Sequence, residues 1–360
     1  MKAAIISLGS VSSQMTAEAM RKYFDSVDMI QLRDVEVNFG KNGGVFYRGE
    51  ELGYYDCVLV KGSFRYAYLL RSIASLLEKK IPYMPLPGES FTLAHNKLLT
   101  HLVLQQHNIP MPRTFMSPSI ESAKELLKKV AYPIVMKFPE GTQGKGVMFA
   151  DSLSSAASLL DALGALNQPF IIQEYVDTGG TDIRALVVGD KVVASMRRKA
   201  QREEKRANIH AGGSGEPALL TMESARIAIN TAKAIGAEIC GVDILESPFG
   251  PQVIEVNISP GLQGINQVCT IDIPDAIARY LYQRTLDIVQ KNRVSSAAEI
   301  MDEISLNPRE SKASQKIISP LTFRGQRIIL PEFVTNLAGF SDDREYSIIT
   351  KKGKIEIEKL

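Results

Sequence analysis

The chain has 360 residues, 45% of them hydrophobic and 23% charged, and its 42 Lys and Arg against 40 Asp and Glu leave a net charge of +2. That length allows two or three domains with ordinary cores, and the near-neutral balance gives no global electrostatic case for nucleic acid or an acidic membrane as partner. Three scattered cysteines, Cys57, Cys240 and Cys269, form no CxxC pair; they argue against a disulfide framework or a zinc site, and the absence of an apolar run of ~18 residues argues against a membrane span, so a cytoplasmic protein is expected.

In chain order, AAIISLG reads as a buried first strand rather than a signal peptide, and TAEAMRKYF as a helix with Thr16 as N-cap. DCVLVKG predicts a strand, YLLRSIASLLEKK a helix and IPYMPLP an extended exit. Such alternation implies a parallel sheet, here an N-terminal α/β domain over 1–90. SFTLAHNKLLTHLVLQQHNIPMPRTF predicts one amphipathic helix, broken by Asn108 and two prolines and leading into a strand. Residues 121–180 then read helix, strand (YPIVMKF), glycine-rich turn (EGTQGKG), strand (VMFA), helix (SSAASLLDALGAL) and strand (PFIIQEYV), closing a central domain over 91–180.

A third domain over 181–292 begins with IRALVVG and KVVASMRRKA, a hairpin around Gly189-Asp190. A polar, basic stretch to Gly215 follows, then a helix (SARIAINTAKAIG), a strand (GVDILES), a turn at Pro248-Phe249-Gly250, a strand through IEVN and a helix over 271–292. Residues 293–320, rich in Ser, Lys and Glu, read as a partly helical linker. The tail, 321–360, predicts a strand (LTFRGQRIILP), a short helix (EFVTNLAGF) and a hairpin turning at Lys352-Gly353.

Four stretches carry chemistry. Lys137 closes an apolar strand ahead of a loop with Gly141, Gly144 and Gly146. Glycines let backbone N–H groups approach a phosphate, and a strand-borne lysine adds a fixed charge, although a hairpin with a flexible tip would look the same. Neither a Walker A loop nor GxGxxG is present. IIQEYV ends an apolar strand at Glu174, Tyr175 and Val176, where extended backbone could read an adenine edge or simply finish a buried strand. Asp182 and Arg184 share a strand face, with a surface ion pair as the plain alternative. The basic run from Arg197 offers Arg198, Lys199, Arg206, Asn208 and His210 to an anion, or is a solvated loop. Lastly, Glu255 and Asn257 lie two apart on one strand, and a hairpin with GVDIL would set Asp243 opposite Glu255. Facing carboxylates repel unless a cation lies between them. Two carboxylates and an amide are an oxygen-only set that suits Mg²⁺ (or Mn²⁺), and a Mg²⁺ site beside phosphate-binding lysines implies ATP.

The order of these motifs resembles the ATP-grasp superfamily, and within it the RimK-type amino-acid ligases, over about residues 1–285. The resemblance rests on AHNKLLT, YPIVMKFPEGTQGKGV, IIQEYV, TDIRALVVGDKVVASMRRKA, RANIHAGG, GVDIL and IEVNISPGLQGI. It implies an ATP-grasp fold after an N-terminal parallel α/β domain. It implies that Lys97 and Lys137 bind ATP phosphates, that Glu174, Tyr175 and Val176 clasp adenine, and that Asp182 lies near the ribose. Arg206 would touch the γ-phosphate or the acyl phosphate, with Arg198, Arg184 and Asn208 lining the acceptor site, and Asp243, Glu255 and Asn257 would ligate Mg²⁺. Asn96 stands where many relatives carry Asp, and QREEKRAN is more charged than the common Gly-Asp-Phe-Arg version of that loop. The implied reaction joins a carboxylate, on a small molecule or a protein terminus, to an amine such as glutamate through an acyl phosphate, releasing ADP and phosphate. A homo-oligomer, dimer or tetramer, is expected. The tail resembles an AbrB/MazE-type swapped-hairpin unit, often a DNA binder. Its seven basic and six acidic residues favour dimerisation or protein docking instead, leaving a nucleotide-sensing DNA-binding regulator as the alternative.

Overall fold

An apolar run behind Lys2 builds the first strand of the computed structural model, β1 (Lys2–Ser7), whose side chains are buried from Ala3 onward. The structure describes residues 1–41, 43–141, 146–199, 214–304, 322–325, 327–330, 334–335, 338–341, 344–352 and 354–359. They divide into two compact units, Met1–Ala298 and Glu299–Leu360.

In the first unit, β1 lies between β2 (Ser26–Gln31) and β6 (Cys57–Val60), parallel to both. β2 has no clear sequence signal, because SVDMIQ mixes polar residues into a strand that is only partly covered. A separate antiparallel sheet joins β3 (Val35–Asn38), β4 (Gly44–Tyr47) and β5 (Glu50–Glu51), which the sequence pattern does not predict. The helix expected from Thr16 starts earlier, as α1 (Val11–Met20): Ser10 Oγ accepts the N–H of Ser13, while Thr16 sits buried in mid-helix and donates to the Ser12 carbonyl. Several hydroxyls here could cap, and the one at the end of the Gly9 turn does so. α2 (Ala67–Leu77) follows.

The single helix expected next is two, α3 (Gly88–His95) and α4 (Lys97–Gln106). Asn96 adopts an extended conformation (φ −122°, ψ 108°), and its Oδ1 accepts the N–H groups of Leu98 and Leu99. Asparagine competes well for such amides, so the chain breaks one residue before Lys97 and places that lysine in the first turn of α4.

β7 (Thr114–Phe115), α5 (Ile120–Leu127), β8 (Ile134–Lys137), β9 (Val147–Ala150), α6 (Leu153–Ala165) and β10 (Ile171–Glu174) form an antiparallel sheet, in the order β7-β10-β8-β9, and its helices. Ala123, Leu127, Ile134, Met136, Leu160 and Ile172 belong to its own core. β11 (Thr181–Val188) and β12 (Lys191–Lys199) are the expected hairpin. With β13 (Ser214–Pro217), β14 (Ile239–Ser247) and β15 (Gly250–Asn257) they make a five-stranded antiparallel sheet, β13-β12-β11-β14-β15, packed by α7 (Met222–Ile235). This sheet shares a core with the N-terminal parallel sheet, Ile5 and Leu59 on one side and Val187 and Val242 on the other. α8 (Gln263–Val268) follows, and α9 (Ile273–Ile304) runs past the expected end at 292. Among the described residues no helix is long and apolar enough to cross a membrane.

In the second unit the segment read as one strand is a small hairpin, β16 (Thr322–Arg324) and β17 (Arg327–Ile329), because Gly325 turns the chain at φ +63°. β18 (Tyr346–Lys351) and β19 (Lys354–Lys359) are the hairpin expected at the C-terminus. The linker beyond Ile304 and residues 332–333 and 336–337 of the expected short helix lie outside the described residues, while Val334 and Thr335 are helical.

Candidate active site

Within the first unit a cavity of about 550 Å³ receives side chains from all three of the larger sheets. Lys137, the last residue of β8, and Lys97, in the first turn of α4, enter from one side. Lys137 Nζ donates to Gln173 Oε1 at 2.6 Å, and Gln173 Nε2 in turn donates to Thr114 Oγ1 at 2.9 Å and lies 3.4 Å from His101 Nε2. Lys97 Nζ donates to the carbonyl of Gly141 at 2.8 Å, and its backbone N–H to the carbonyl of Pro139. Burial pulls the Lys137 ammonium down to about 8, the Glu255 carboxylate opposing this and Lys97 adding to it. Burial lowers Lys97 too, against Glu255 and Glu140. His101, beside both lysines, is pushed down to about 4 by burial and then by their charge, so its imidazole is neutral at pH 7.

Of the loop glycines, Gly141 lines the cavity and Gly146 does not. Gly146 is required sterically: at φ +76° a Cβ would come within 2.4 Å of the Phe138 ring. Gly144 lies outside the described residues, as do Arg206, Asn208 and His210. Glu174, Tyr175 and Val176 all line the cavity. The N–H groups of Glu174 and Tyr175 already donate to the carbonyls of Arg113 and Pro133, so neither is free to donate to a ligand.

Opposite stands a charge network on the five-stranded sheet. Asp182 and Arg184 do not form the surface pair that their spacing suggested. Asp182 is in register with Arg198 on β12, which donates from Nε and Nη2 to its two carboxylate oxygens, each at 2.6 Å. Arg184 reaches to β14 instead, donating from Nε to Asp243 Oδ1 at 2.8 Å and from Nη2 to Oδ2 at 2.7 Å, and Arg198 Nη2 lies 2.8 Å from the same Oδ2. Cross-strand neighbours are closer than residues two apart on one strand, which decides the pairing. Asp182, Arg198 and Asp243 are all buried. Burial raises Asp182 against the pull of Arg198, whereas Arg184 and Arg198 together outweigh burial at Asp243 and hold it at about 2.

Asp243 pairs in register with Glu255 on β15, as the hairpin reading required. The cationic charge on Asp243 comes from two guanidiniums, which the sequence did not announce. No cluster of three or more His, Cys, Asp and Glu suited to a metal occurs among the described residues, which leaves the two carboxylates and Asn257 as the candidate set. Their chemistry fits a hard cation: Asp243 Oδ1 receives a single N–H, Glu255 lines the cavity, and Asn257 Oδ1, though it accepts the Ser259 N–H at 3.0 Å, keeps a lone pair. Gln173 and His101 escaped the sequence reading. A Gln interrupting the apolar run IIQE and a His four residues after Lys97 on one helix face were the available signals.

Two antiparallel sheets, one bearing lysines and one bearing carboxylates, that close on a single cavity define the ATP-grasp class. Solved structures share the fold. The ATP-grasp ligase PsnB, complexed with a minimal precursor variant, Mg and ADP, aligns with a TM-score of 0.61 at 18% identity over 79% of this chain and 98% of that one. D-cycloserine synthetase DcsG aligns with a TM-score of 0.59 at 15% identity over 79% of this chain and 100% of that one. The RimK-like ATP-grasp domain matches residues 94–281. A probable alpha-L-glutamate ligase of Saccharophagus degradans is 38% identical over 66% of this chain and 79% of its own length. A probable alpha-L-glutamate ligase 2 of Pseudoalteromonas atlantica is 35% identical over 78% of this chain and 95% of its own. The chain belongs to the RimK-like ATP-grasp family and is an ADP-forming carbon–nitrogen ligase. The family match stops short of the tail.

Proposed function

We propose that the protein uses ATP to join the amine of glutamate or another amino acid to a carboxylate carried by a small molecule or a protein terminus. The observation that carries this reading is the placement, across one cavity, of two lysines, Lys97 and Lys137, opposite the oxygen set of Asp243, Glu255 and Asn257. The lysines hold the phosphates, and the strand end at Val176 meets the adenine. Asp182, both of whose oxygens are held by Arg198, serves to fix that guanidinium rather than to reach the ribose. Arg184 and Arg198 face the acceptor, with Arg206 and Asn208 assigned to the γ-phosphate and acceptor on their motif alone. Mg²⁺, when bound by Asp243, Glu255 and Asn257, supplies charge neutralisation and orientation of the phosphates.

In the first step a substrate carboxylate oxygen attacks the γ-phosphorus and ADP leaves, giving an acyl phosphate. The amine nitrogen then attacks the acyl carbon, phosphate leaves, and the nitrogen loses a proton. The protein forms no bond of its own. Lys97 and Lys137 position the phosphates and the guanidiniums offset charge on the acyl oxygens. Glutamate is supported by the names of the relatives, and a peptide carboxylate by structural neighbours seen with precursor peptides, PsnB and the macrocyclase MdnC. The test is an ADP-release screen of amino acids against candidate carboxylates with mass spectrometry of the products. Turnover is expected in the wild type and its loss in Lys137→Ala and Glu255→Ala; near-normal rates in either variant would remove the assignment.

Family membership supports the ligase over a DNA-binding regulator. For the tail we favour self-association, because its hairpins expose Phe323, Ile328, Ile348 and Ile355. Sedimentation of residues 1–300 should show a smaller oligomer than the full chain, and an unchanged one would end that idea.

A further inference from the structure

Among the described residues, one lysine in the cavity wall has no partner. Lys61 follows β6, at the carboxyl end of the parallel N-terminal sheet, and its backbone N–H donates to the carbonyl of Ile6 at 2.8 Å. The residue is only 8% exposed, yet it lines the cavity. Among the described residues its Nζ meets no carboxylate and no hydrogen-bond acceptor; burial alone acts on it and brings it down to about 8. A buried ammonium without compensation is costly, and the cost is removed when a ligand brings the anion.

The surroundings suit a small anion. α1 begins in the same wall, where Ser10, Ser12 and Ser13 line the cavity. Ser10 Oγ takes the N–H of Ser13, and the other first-turn amides of the helix have no intrahelical acceptor. This wall is also tied to the turn beyond Asn257. The N–H of Gly62 donates to Ser259 Oγ at 3.1 Å, and the N–H of Leu262 donates to Ser12 Oγ at 2.8 Å. The Lys61 wall is thereby fixed against the segment that follows Glu255 and Asn257. Lys97 and Lys137 come from α4 and from the sheet of β8, so Lys61 is a third lysine supplied by a different element.

We infer that Lys61 and the first turn of α1 bind a non-reacting carboxylate of the amino-acid substrate and so set which of its groups faces the acyl carbon. This rests on the ligase reading above. The carboxylate is either the α-carboxylate common to all amino acids or the side-chain carboxylate of an acidic one.

The test is calorimetric titration of the full-length protein, saturated with a non-hydrolysable ATP analogue and Mg²⁺, with each of the twenty amino acids and with L-isoglutamine. Wild type, Lys61→Met and Lys61→Arg are compared. Met is close in length and removes an unpaired buried charge, so the thermal midpoint should not fall. We expect Lys61→Met to weaken amino-acid binding roughly tenfold or more, Lys61→Arg to restore part of it, and the affinity for the ATP analogue to be unchanged. A loss shared by L-glutamate and L-glutamine but absent for L-isoglutamine assigns the α-carboxylate; a loss for L-glutamate and L-isoglutamine alone assigns the side chain. Equal binding to wild type and Lys61→Met, binding to neither, or a weakened ATP analogue overturns the proposal. Failure of the ligase reading would look different: no ADP release by the wild type with any amine and carboxylate.

Discussion

The two walls of the cavity solve the problem of buried charge in opposite ways. On the five-stranded sheet Asp182, Arg198, Asp243 and Arg184 neutralise one another through short, mostly bidentate contacts. On the other wall Lys97 and Lys137 share the Glu255 carboxylate across the cavity, and burial lowers both ammoniums. The acid–arginine network is paired internally, although Asp243 Oδ1 receives a single N–H, and the lysine wall is short of negative charge. An anion entering the cavity therefore gains most beside the lysines, while the guanidiniums are already rigid and oriented.

The comparison breaks most visibly at the lysine wall. Lys137→Met should cut ADP release by roughly 10³-fold, about 4 kcal/mol of transition-state stabilisation, with little change in the denaturation midpoint. On the other wall the ranking inverts. Arg198→Met leaves Asp182 without its guanidinium and Asp243 with only one, and should destabilise the fold by about 3–5 kcal/mol in denaturant titrations. Replacing Asp182 by Leu in the same chain should recover part of that loss, and a full additive loss would show that the pair is not coupled.

A smaller effect tests the burial of His101 and, after it, the field of the lysines. The folded pKa of His101 lies near 4 and its unfolded value near 6.5. Between these values the unfolded chain binds the extra proton, so stability rises with pH there and is lost on acidification. From pH 7 to pH 5 the loss from this group should be about 2 kcal/mol, and His101→Gln should remove that part of the slope in denaturant midpoints. The smallest change concerns Gln173, which accepts from the Lys137 ammonium at 2.6 Å. Gln173→Leu should raise the KM for ATP roughly threefold to tenfold and leave the melting temperature within a few degrees, a pattern expected if the amide aims the lysine.

Much of this was legible in linear order. The apolar run after Lys2, the Gly189-Asp190 hairpin and the strand pair carrying Asp243 and Glu255 appear in the structure in the places that hydrophobic period and turn chemistry assign. The misreadings have local physical causes. Asn96 could be read as an ordinary helical residue, but its side chain outcompetes the helix for two amides. Ser10 rather than Thr16 caps α1, because several hydroxyls competed and only the geometry of the turn chooses among them. SVDMIQ becomes a strand because β1 offers it a parallel partner, not because of its own pattern.

The sequence by itself determined which residue types carry charge and oxygen ligands, their spacing along each strand, and through its motifs the ligase family. Only the tertiary structure decided who pairs with whom. Arg198 meets Asp182 and Arg184 meets Asp243 because strand register sets cross-strand distances below those along a strand, and among the described residues no acidic side chain pairs with Lys61. Coulomb and desolvation energies depend on distance and burial in space, and spacing along the chain specifies neither until the sheets have closed on one another.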